Sequence, residues 1–385
     1  MDRSYLVDFD PQRVPSPAFV VDQGALVRNL RILDRVQQQS GAQILLALKG
    51  FAMFRVFPLI SRYLKGVCAS SPHEARLGRE EFGGEVHGHG PAFSETDLAE
   101  MLDLCDHIVF NSFSQWERFQ PLIARHPKPP RFGLRVNPRH SETAVAIYDP
   151  CSPGSRLGIT REQFTGRSLA GISGLHLHTL CEKGSDALAR TAKVFDKQFS
   201  DILPGMEWLN LGGGHHITKP YYDIDLLCEV IDHFKTTYGL TVYLEPGEAI
   251  AIHTGALITT VLDIIDNDGP IAILDVSVTC HMPDVLEMPY RPDIRGAGLP
   301  GEYPHVYRLG GVSCLAGDML GSYAFPQPLA IGDRLILEDM SHYTMVKTTT
   351  FNGVRLPSIA LYDPDRDQVE IVREFGYEEY KRRLS

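Results

Sequence analysis

The sequence lacks a Cys-x-x-Cys pair, an apolar run long enough to cross a membrane, and the basic-then-apolar start of a signal peptide. The first absence argues against a cysteine-based structural zinc site. The other two lead us to expect a protein of the cytoplasm. Its seven cysteines follow no regular pairing pattern, which agrees with reduced thiols in that compartment.

Positive charge is also scarce, with 37 basic residues against 48 acidic ones and a net charge of -11. We therefore expect neither nucleic acid nor a membrane as a partner, whereas a polycationic small molecule would be attracted. The chain of 385 residues is 43% hydrophobic, enough to bury a sizeable core and to form two domains.

Short apolar runs recur along the first two thirds of the chain, and most gaps are about the length of one crossover helix plus two loops. Eight such units predict an α/β fold with a (β/α)8 TIM-like barrel rather than an open doubly wound sheet. The runs are Gln43–Lys49, Val67–Ser71, Val86–Gly88, Ile108–Asn111, Phe132–Asn137, Gly174–His178, Trp208–Leu211 and Val242–Glu245. The longest gap contains the polar segment Asp149–Gly158, which we interpret as an active-site loop.

Beyond Gly255 the pattern changes to β-rich runs separated by Pro/Gly turns. These runs are Ala256–Asp266, Ile271–Val278, Arg334–Glu338 and Val369–Arg373. We predict a barrel domain over residues 20–255 and a mostly antiparallel β domain over residues 256–385. The N-terminal segment, residues 1–19, is expected to pair with the second domain.

Chemically active residues follow the predicted barrel strands, at the end where barrel enzymes hold their active sites. Lys49 ends the first run, and His176 and His178 alternate with leucines on the sixth, so both face inward. The glycine run 212–214 follows the seventh and could bring backbone amides to a phosphate. Glu245 ends the eighth, where a buried carboxylate needs a partner such as a protonated pyridine nitrogen.

An amine, a glycine run, a carboxylate and a flat ring are the groups that pyridoxal 5'-phosphate requires. The amine attaches the cofactor, and the carboxylate keeps its ring nitrogen protonated. A zinc site is the competing interpretation, but it would leave the glycines and Lys49 unexplained, so we predict no metal. The candidate ligands of that zinc site are His176, His178, His215 and His216.

Seven motifs, in order along nearly the whole chain, resemble those of the alanine-racemase-like, fold type III pyridoxal-phosphate decarboxylases, which include ornithine and diaminopimelate decarboxylases. They are ALKG at 47–50, CASS at 68–71, SRLGI at 155–159, GLHLHT at 174–179, LGGG at 211–214, EPGE at 245–248 and YTMVKTTTFNG at 343–353. The resemblance implies that Lys49 carries the cofactor, His178 stacks on its ring and Glu245 faces the ring nitrogen. A glutamate there, rather than an arginine, favours decarboxylation over racemisation. The implied phosphate ligands are Gly213, Gly214, Gly247 and Tyr343.

Two further motifs, HMPDVLEMPYRP at 281–292 and GGVSCLAGD at 310–318, resemble the carboxynorspermidine/carboxyspermidine decarboxylase branch. This implies a carboxy-lyase of norspermidine and spermidine biosynthesis. Where relatives have an arginine after EPG, this chain has Glu248, an acid suited to the ammonium groups of a triamine. Asp284, Asp318 and Arg156 complete the predicted substrate-binding set.

Cys314, by the same resemblance, reaches the cofactor from the neighbouring subunit of a homodimer whose active sites are shared across the interface. Its thiol could donate a proton after carbon dioxide leaves. The predicted catalytic set is therefore Lys49, Cys314 and His178. Three alternatives stay open: a decarboxylase of a shorter diamino acid such as diaminopimelate or ornithine, a non-catalytic binder of the cofactor, and a zinc-dependent barrel hydrolase.

Overall fold

A computed structural model describes residues 9–143 and 145–385 of the chain. It contains two compact units, one of them Asn29–Ile250 and the other formed by the N-terminal residues through Arg28 together with Ala251–Ser385. The part of the predicted N-terminal segment that precedes residue 9 lies outside the described residues. Among the described residues, no helix is both long enough and apolar enough to span a membrane.

The strands and helices are numbered in chain order. The strands are β1 Ala18–Asp22, β2 Gln43–Ala47, β3 Gly66–Ala69, β4 Glu85–His89, β5 His107–Phe110, β6 Arg131–Asn137, β7 Ile159–Thr160, β8 Ile172–His176, β9 Trp208–Asn210, β10 Thr241–Leu244, β11 Gly255–Asp266, β12 Pro270–Leu274, β13 His305–Gly310, β14 Met319–Phe325, β15 Arg334–Glu338, β16 Ser358–Asp363 and β17 Gln368–Arg373. The helices are α1 Gln23–Ser40, α2 Phe57–Ile60, α3 Pro72–Leu77, α4 Glu95–Leu104, α5 Phe113–Ile123, α6 Ser185–Phe199, α7 Ile224–Tyr238, α8 Glu248–Ala251, α9 Val278–His281, α10 Asp284–Glu287, α11 Tyr343–Val346 and α12 Tyr377–Lys381.

The Asn29–Ile250 unit is a closed parallel barrel. Its strands pair in the order β5-β4-β3-β2-β10-β9-β8-β6, and the pairing of β5 with β6 closes the ring. The eight strands overlap the eight predicted runs, so the predicted barrel is confirmed. The short strand β7 pairs with the end of β6, beside the polar loop.

Trp208 fills part of the barrel interior because the two neighbouring strands β6 and β8 carry glycine. A Cβ atom added to Gly133 or Gly174 would lie 2.3 Å or 2.0 Å from its indole ring. The indole packs with Leu45, Val109 and Tyr243 into an apolar cluster. The barrel is therefore a filled core, and ligands are left to its ends.

The second unit is built on an eight-stranded sheet in the order β14-β13-β12-β11-β1-β16-β17, with β15 also paired to β11. Five pairings are antiparallel, and β1 with β16 and β12 with β13 are parallel. The predicted mostly antiparallel second sheet is therefore confirmed. The strand β1 enters it through pairings with β11 and β16.

The run Ile271–Val278, predicted as one strand, is corrected by the structure. The strand β12 ends at Leu274, and Val278 instead begins the helix α9. The side chain of Ser277 caps that helix by accepting the backbone N–H of Cys280 over 3.2 Å. A serine at the N-cap ends an extended run in a way that apolar patterning does not reveal.

Candidate active site

Four neighbouring strands, β2, β10, β9 and β8, deliver the main candidate residues of the barrel unit. Because all four are parallel, Lys49, Glu245, the glycine run 212–214 and His178 lie at the same end of the barrel. The segment after β2 packs closely on the segment after β10, since a Cβ atom on Gly50 would lie 2.9 Å from Cα of Gly247. Lys49 itself is exposed.

Glu245 is buried and accepts hydrogen bonds on both carboxylate oxygens. Its Oε1 accepts the amide of Asn210 at 2.7 Å, and its Oε2 lies 3.0 Å from Nε2 of His176. Burial alone would raise the pKa of Glu245, but His176, followed by His87 and the hydrogen bond from Asn210, outweighs burial and lowers that pKa to about 2. The side chain of Glu245 is therefore ionised and suited to binding a cationic partner.

His178 is held by the backbone of the glycine run. The N–H of Gly213 donates to Nδ1 of His178 over 2.9 Å, so the proton of the neutral ring lies on Nε2. Burial, followed by the positive charges of Lys49 and Arg135, lowers the pKa of His178 well below its usual value. A neutral, fixed and flat ring is suited to stacking on a planar cofactor.

The glycines are required by the chain's own close packing. A Cβ atom on Gly213 would lie 2.1 Å from the carbonyl oxygen of Glu245, and one on Gly214 would lie 1.9 Å from that of Leu180. The N–H of Gly212 donates to Oδ1 of Asn210 at 2.8 Å, as that of Gly213 does to His178. Two of the three amides are thus hydrogen-bonded within the barrel, and phosphate binding by Gly213, Gly214 and Gly247 stays a prediction.

The polar loop Asp149–Gly158 is fastened to the barrel by asparagines. Asn111 donates to the carbonyl of Arg156 at 2.8 Å and accepts the N–H of Gly158 at 2.7 Å. Asn137 donates to the carbonyl of Leu157 at 3.1 Å. These bonds fix the backbone that carries the exposed Arg156 side chain.

Glu248 begins the helix α8 and is paired within the barrel unit. Its Oε1 lies 3.2 Å from Nε2 of the buried His216. The side chain of Glu248 is 21% exposed, so it is partly accessible to solvent while its carboxylate contacts His216.

Four predicted residues belong to the sheet unit. Asp318 is buried and accepts the backbone N–H groups of Val278 at 2.6 Å and Ser313 at 3.0 Å, so it organises the loop that carries Cys314. Cys314 is exposed, and its N–H donates to Oδ1 of Asn352 at 2.7 Å. These contacts favour a supporting role for Asp318, and direct substrate binding by it stays a prediction.

The other two predicted residues of that unit are Asp284 and Tyr343. Oδ2 of Asp284 accepts the hydroxyl of Tyr290 at 2.9 Å, whereas its Oδ1 is buried without a hydrogen-bond partner among the described residues. A buried acceptor of this kind needs a donor, which a ligand could supply. Tyr343 is half-buried at the start of α11.

Sequence reasoning missed a buried cation beside the site. Arg135 on β6 donates to the carbonyl of His178 at 2.9 Å and lies 3.0 Å from Nε2 of His89. Burial lowers the pKa of Arg135 to about 10. The alternation of Gly133, Arg135 and Asn137 along β6 was the available signal, because every second residue of a barrel strand points inward.

Two other neighbours of Glu245 were assigned no role in the predicted site. Asn210 donates to Oε1 of Glu245. Burial, followed by the charge of Glu245, raises the pKa of Cys68 well above its usual value. Both residues lie on inward-facing positions of strands that neighbour β10 or β2. The same inward alternation could have identified them.

Of the four candidate zinc ligands, His176 and His178 lie close together, and His215 contacts another group. Donor atoms of His176, His178 and Glu245 lie within 4.8 Å of one another, whereas His215 instead contacts the hydroxyl of Tyr222 at 2.7 Å. A second group of possible ligands lies on β4 and β5. It contains Glu85, His87 and His107. The rings of His87 and His107 are stacked at 4.0 Å and 18°.

The donor set fits pyridoxal 5'-phosphate. An exposed amine, a flat neutral ring and a buried carboxylate with a depressed pKa lie at one end of the barrel. The glycines at 50, 213 and 247 let the backbone segments that follow the barrel strands pack closely together at this end. Lys49, His178 and Glu245 would hold the amine-reactive carbon, the face and the nitrogen of the cofactor, respectively.

The barrel, the second sheet and this donor set define a pyridoxal-dependent decarboxylase. Residues 218–341 match the pyridoxal-dependent decarboxylase family, C-terminal sheet domain. The chain is 49% identical over 373 residues to the carboxyaminopropylagmatine decarboxylase of Synechocystis sp., with 96% of each chain covered. It is 41% identical over 383 residues to the carboxynorspermidine/carboxyspermidine decarboxylase of Campylobacter jejuni, covering 97% of this chain and 99% of that protein.

This chain belongs to the pyridoxal-dependent decarboxylase family, and its cofactor is pyridoxal 5'-phosphate. Among solved structures, it is similar to carboxynorspermidine decarboxylase of C. jejuni complexed with norspermidine, with a TM-score of 0.89, 41% identity, and 96% of this chain and 100% of that chain covered. Diaminopimelate decarboxylase of Helicobacter pylori has the same fold at 18% identity, with a TM-score of 0.81 and 97% of each chain covered. The predictions of a decarboxylase and of its cofactor are confirmed.

Proposed function

We propose that the protein decarboxylates carboxynorspermidine or carboxyspermidine and releases norspermidine or spermidine together with carbon dioxide. The observation that carries this proposal is an acid, Glu248, at the end of the barrel where Lys49, His178 and Glu245 also lie. A triamine offers ammonium groups to such an acid, and charge-assisted hydrogen bonds to it are strong. The relatives named for these substrates support the assignment.

The barrel residues have two tasks in this proposal, which are to bind the cofactor and to orient it. Lys49 would attach the cofactor through its side-chain amine. When bound, pyridoxal 5'-phosphate supplies an electron sink for the electron pair left by departing carbon dioxide. The carboxylate of Glu245 keeps a proton on the ring nitrogen, and His178 fixes the ring from one face.

Four further roles within this proposal follow from the predicted site. Gly213, Gly214, Gly247 and Tyr343 hold the phosphate, and Arg156 contacts the cofactor or the substrate from the polar loop. Glu248 and Asp284 bind the cationic part of the triamine. Oδ1 of Asp284 supports this, since it is buried without a hydrogen-bond partner in the described part of the chain and an ammonium group would supply a donor. Asp318 acts mainly by holding the loop of Cys314.

The proposal includes a homodimer in the cytoplasm. Cys314 reaches the site of the neighbouring subunit and donates a proton to the carbon that has lost its carboxylate. Its exposure and the anchoring of its loop by Asn352 and Asp318 support this role. Sedimentation of the cofactor-loaded protein tests the dimer, since a monomer at working concentration would contradict it.

Carboxyaminopropylagmatine is a second candidate substrate. The observation in its favour is the 49% identity to the relative named for it, against 41% and 39% for two named for carboxynorspermidine/carboxyspermidine. It shares the carboxylated aminopropyl end with the triamines but carries a guanidinium at the other end. The reacting half of the site would be unchanged, and the difference would lie in how acids such as Glu248 bind the distal cation.

The decisive assay supplies each candidate separately to the cofactor-loaded protein and measures carbon dioxide and the amine product. The highest kcat/KM for either carboxylated triamine supports the proposal. The highest value for carboxyaminopropylagmatine supports the second candidate. Preference for ornithine or diaminopimelate would contradict both, and cofactor binding without release of carbon dioxide from any of them would indicate a non-catalytic binder.

A further inference from the structure

His176 makes a contact that its neighbour in the His-x-His pair does not. Its Nε2 lies 3.0 Å from Oε2 of Glu245, and both side chains are buried. The ring centroids of His176 and His178 are 6.1 Å apart, and the ring planes are inclined by 25°. The two rings contact different groups. Nδ1 of His178 instead accepts the N–H of Gly213.

The two ring nitrogens of His176 have different surroundings. Nδ1 is buried and has no hydrogen-bond partner among the described residues. Nε2 is therefore the nitrogen through which His176 donates a hydrogen bond to Glu245.

A hydrogen-bond donor on each carboxylate oxygen suits an acid that must serve a cation. The bond from His176 stabilises the ionised form of Glu245 and holds the carboxylate in one orientation. Asn210 does the same at Oε1, over 2.7 Å.

We infer that His176 is a positioning residue for decarboxylation, which keeps Glu245 ionised and aimed at the ring nitrogen of the cofactor. This rests on the proposed role of Glu245. His176 is expected to touch neither substrate nor cofactor, and it acts through the carboxylate. Other titratable or polar groups that face Glu245 from neighbouring strands are Cys68, His87, His89, Arg135 and Asn210.

Two substitutions of similar size separate a positioning role from a packing role. His176→Gln places an amide N–H near the position of Nε2, whereas His176→Asn places it near Nδ1 and loses the contact with Glu245. His107→Asn is the matched control, because His107 is also a buried barrel histidine whose Nδ1 has no partner among the described residues. His176→Leu serves as a second loss variant should the asparagine variant fail to fold.

The first readout is the dissociation constant of pyridoxal 5'-phosphate, titrated by visible absorbance between pH 5 and 8. Loss of a hydrogen bond to a charged group predicts a Kd about 10-fold or more higher for His176→Asn. The penalty should grow toward pH 5 as the carboxylate becomes easier to protonate. His176→Gln should recover most of the affinity, and kcat of the asparagine variant should fall more than KM rises.

Two results would overturn the inference. One is a Kd of His176→Asn or His176→Leu that follows the wild-type pH dependence. The other is a change in His107→Asn as large as that in His176→Asn. The titration needs no substrate, so it reports on His176 even if neither carboxylated triamine is turned over, and the two failures can be told apart.

Discussion

The N–H of Gly213 donates to Nδ1 of His178 over 2.9 Å, so the glycine run fixes the ring that we expect to stack on the cofactor. The same glycine cannot carry a side chain, because its Cβ atom would lie 2.1 Å from the carbonyl oxygen of Glu245. One backbone position thus constrains both the ring of His178 and the backbone of Glu245, whose carboxylate we expect to face the ring nitrogen.

Gly213→Ala should therefore weaken cofactor binding by about 10-fold or more, because the backbone shift releases His178 and disturbs Glu245 together. The Kd of pyridoxal 5'-phosphate, titrated by absorbance, measures the effect. Gly205→Ala is the matched control, since its Cβ atom would meet nothing within 4 Å. Equal affinities for the two variants would show that the glycine contact is unimportant.

The contribution of Glu245 to cofactor binding should be the same across the physiological range of pH. Its pKa is lowered from an ordinary 4.5 to about 2, so its charge is fully present above 4.5 and is lost only as the pH falls toward 2. We predict no change in cofactor affinity from this group between pH 5 and 8. Glu245→Gln should reduce kcat by roughly 10²-fold at every pH in that range, because a neutral amide cannot keep the ring nitrogen protonated.

Glu85→Gln is the control for this experiment. Glu85 lies on β4 and also has a pKa lowered to about 2, in its case mainly by hydrogen bonding to His87. Its loss should affect stability rather than kcat. A Glu245→Gln variant with near wild-type kcat would contradict the assigned role.

Glu248→Arg should raise KM for the carboxylated triamine far more than the Kd of the cofactor. A cation at this position repels the ammonium groups of the substrate, and an effect of about 10- to 100-fold on KM is expected. Steady-state kinetics and absorbance titration measure the two quantities. Glu229→Arg makes the same change of charge on an exposed face of α7 and should leave KM unaltered. An unchanged KM in Glu248→Arg would remove Glu248 from the substrate site.

Mixing two inactive variants tests whether the active sites are shared between subunits. Lys49→Ala removes the attachment of the cofactor, and Cys314→Ala removes the proposed proton donor. If each site combines Lys49 of one subunit with Cys314 of the other, random mixing restores about one quarter of wild-type activity through one intact site per mixed dimer. Activity that stays at the level of the separate variants after subunit exchange would contradict shared sites.

The sequence predicted the barrel well because its eight buried strands repeat at regular intervals. The second sheet was harder, since β13, β14 and β16 carry no comparable pattern and were missed. Strands of an open, partly exposed sheet are specified by pairing partners far away in the chain, as when β1 pairs with β11 and β16.

The candidate site was predicted as a set of strand-end residues, without the contacts between them. The amides of Gly212 and Gly213 were expected to be available to a phosphate, but both are hydrogen-bonded to side chains of the barrel. Arg135 and Asn210 were missed because single polar residues inside an apolar strand carry no motif. Only the closed barrel brings them beside His178 and Glu245.

The attachment of the cofactor to Lys49 is the central claim, and chemical trapping tests it most directly. Borohydride reduction of the cofactor-loaded protein makes the attachment permanent, and peptide mass analysis then identifies the labelled lysine. We predict a single label, on the peptide that contains Lys49. A label on another lysine, or none after saturation with the cofactor, would contradict the assignment of this site.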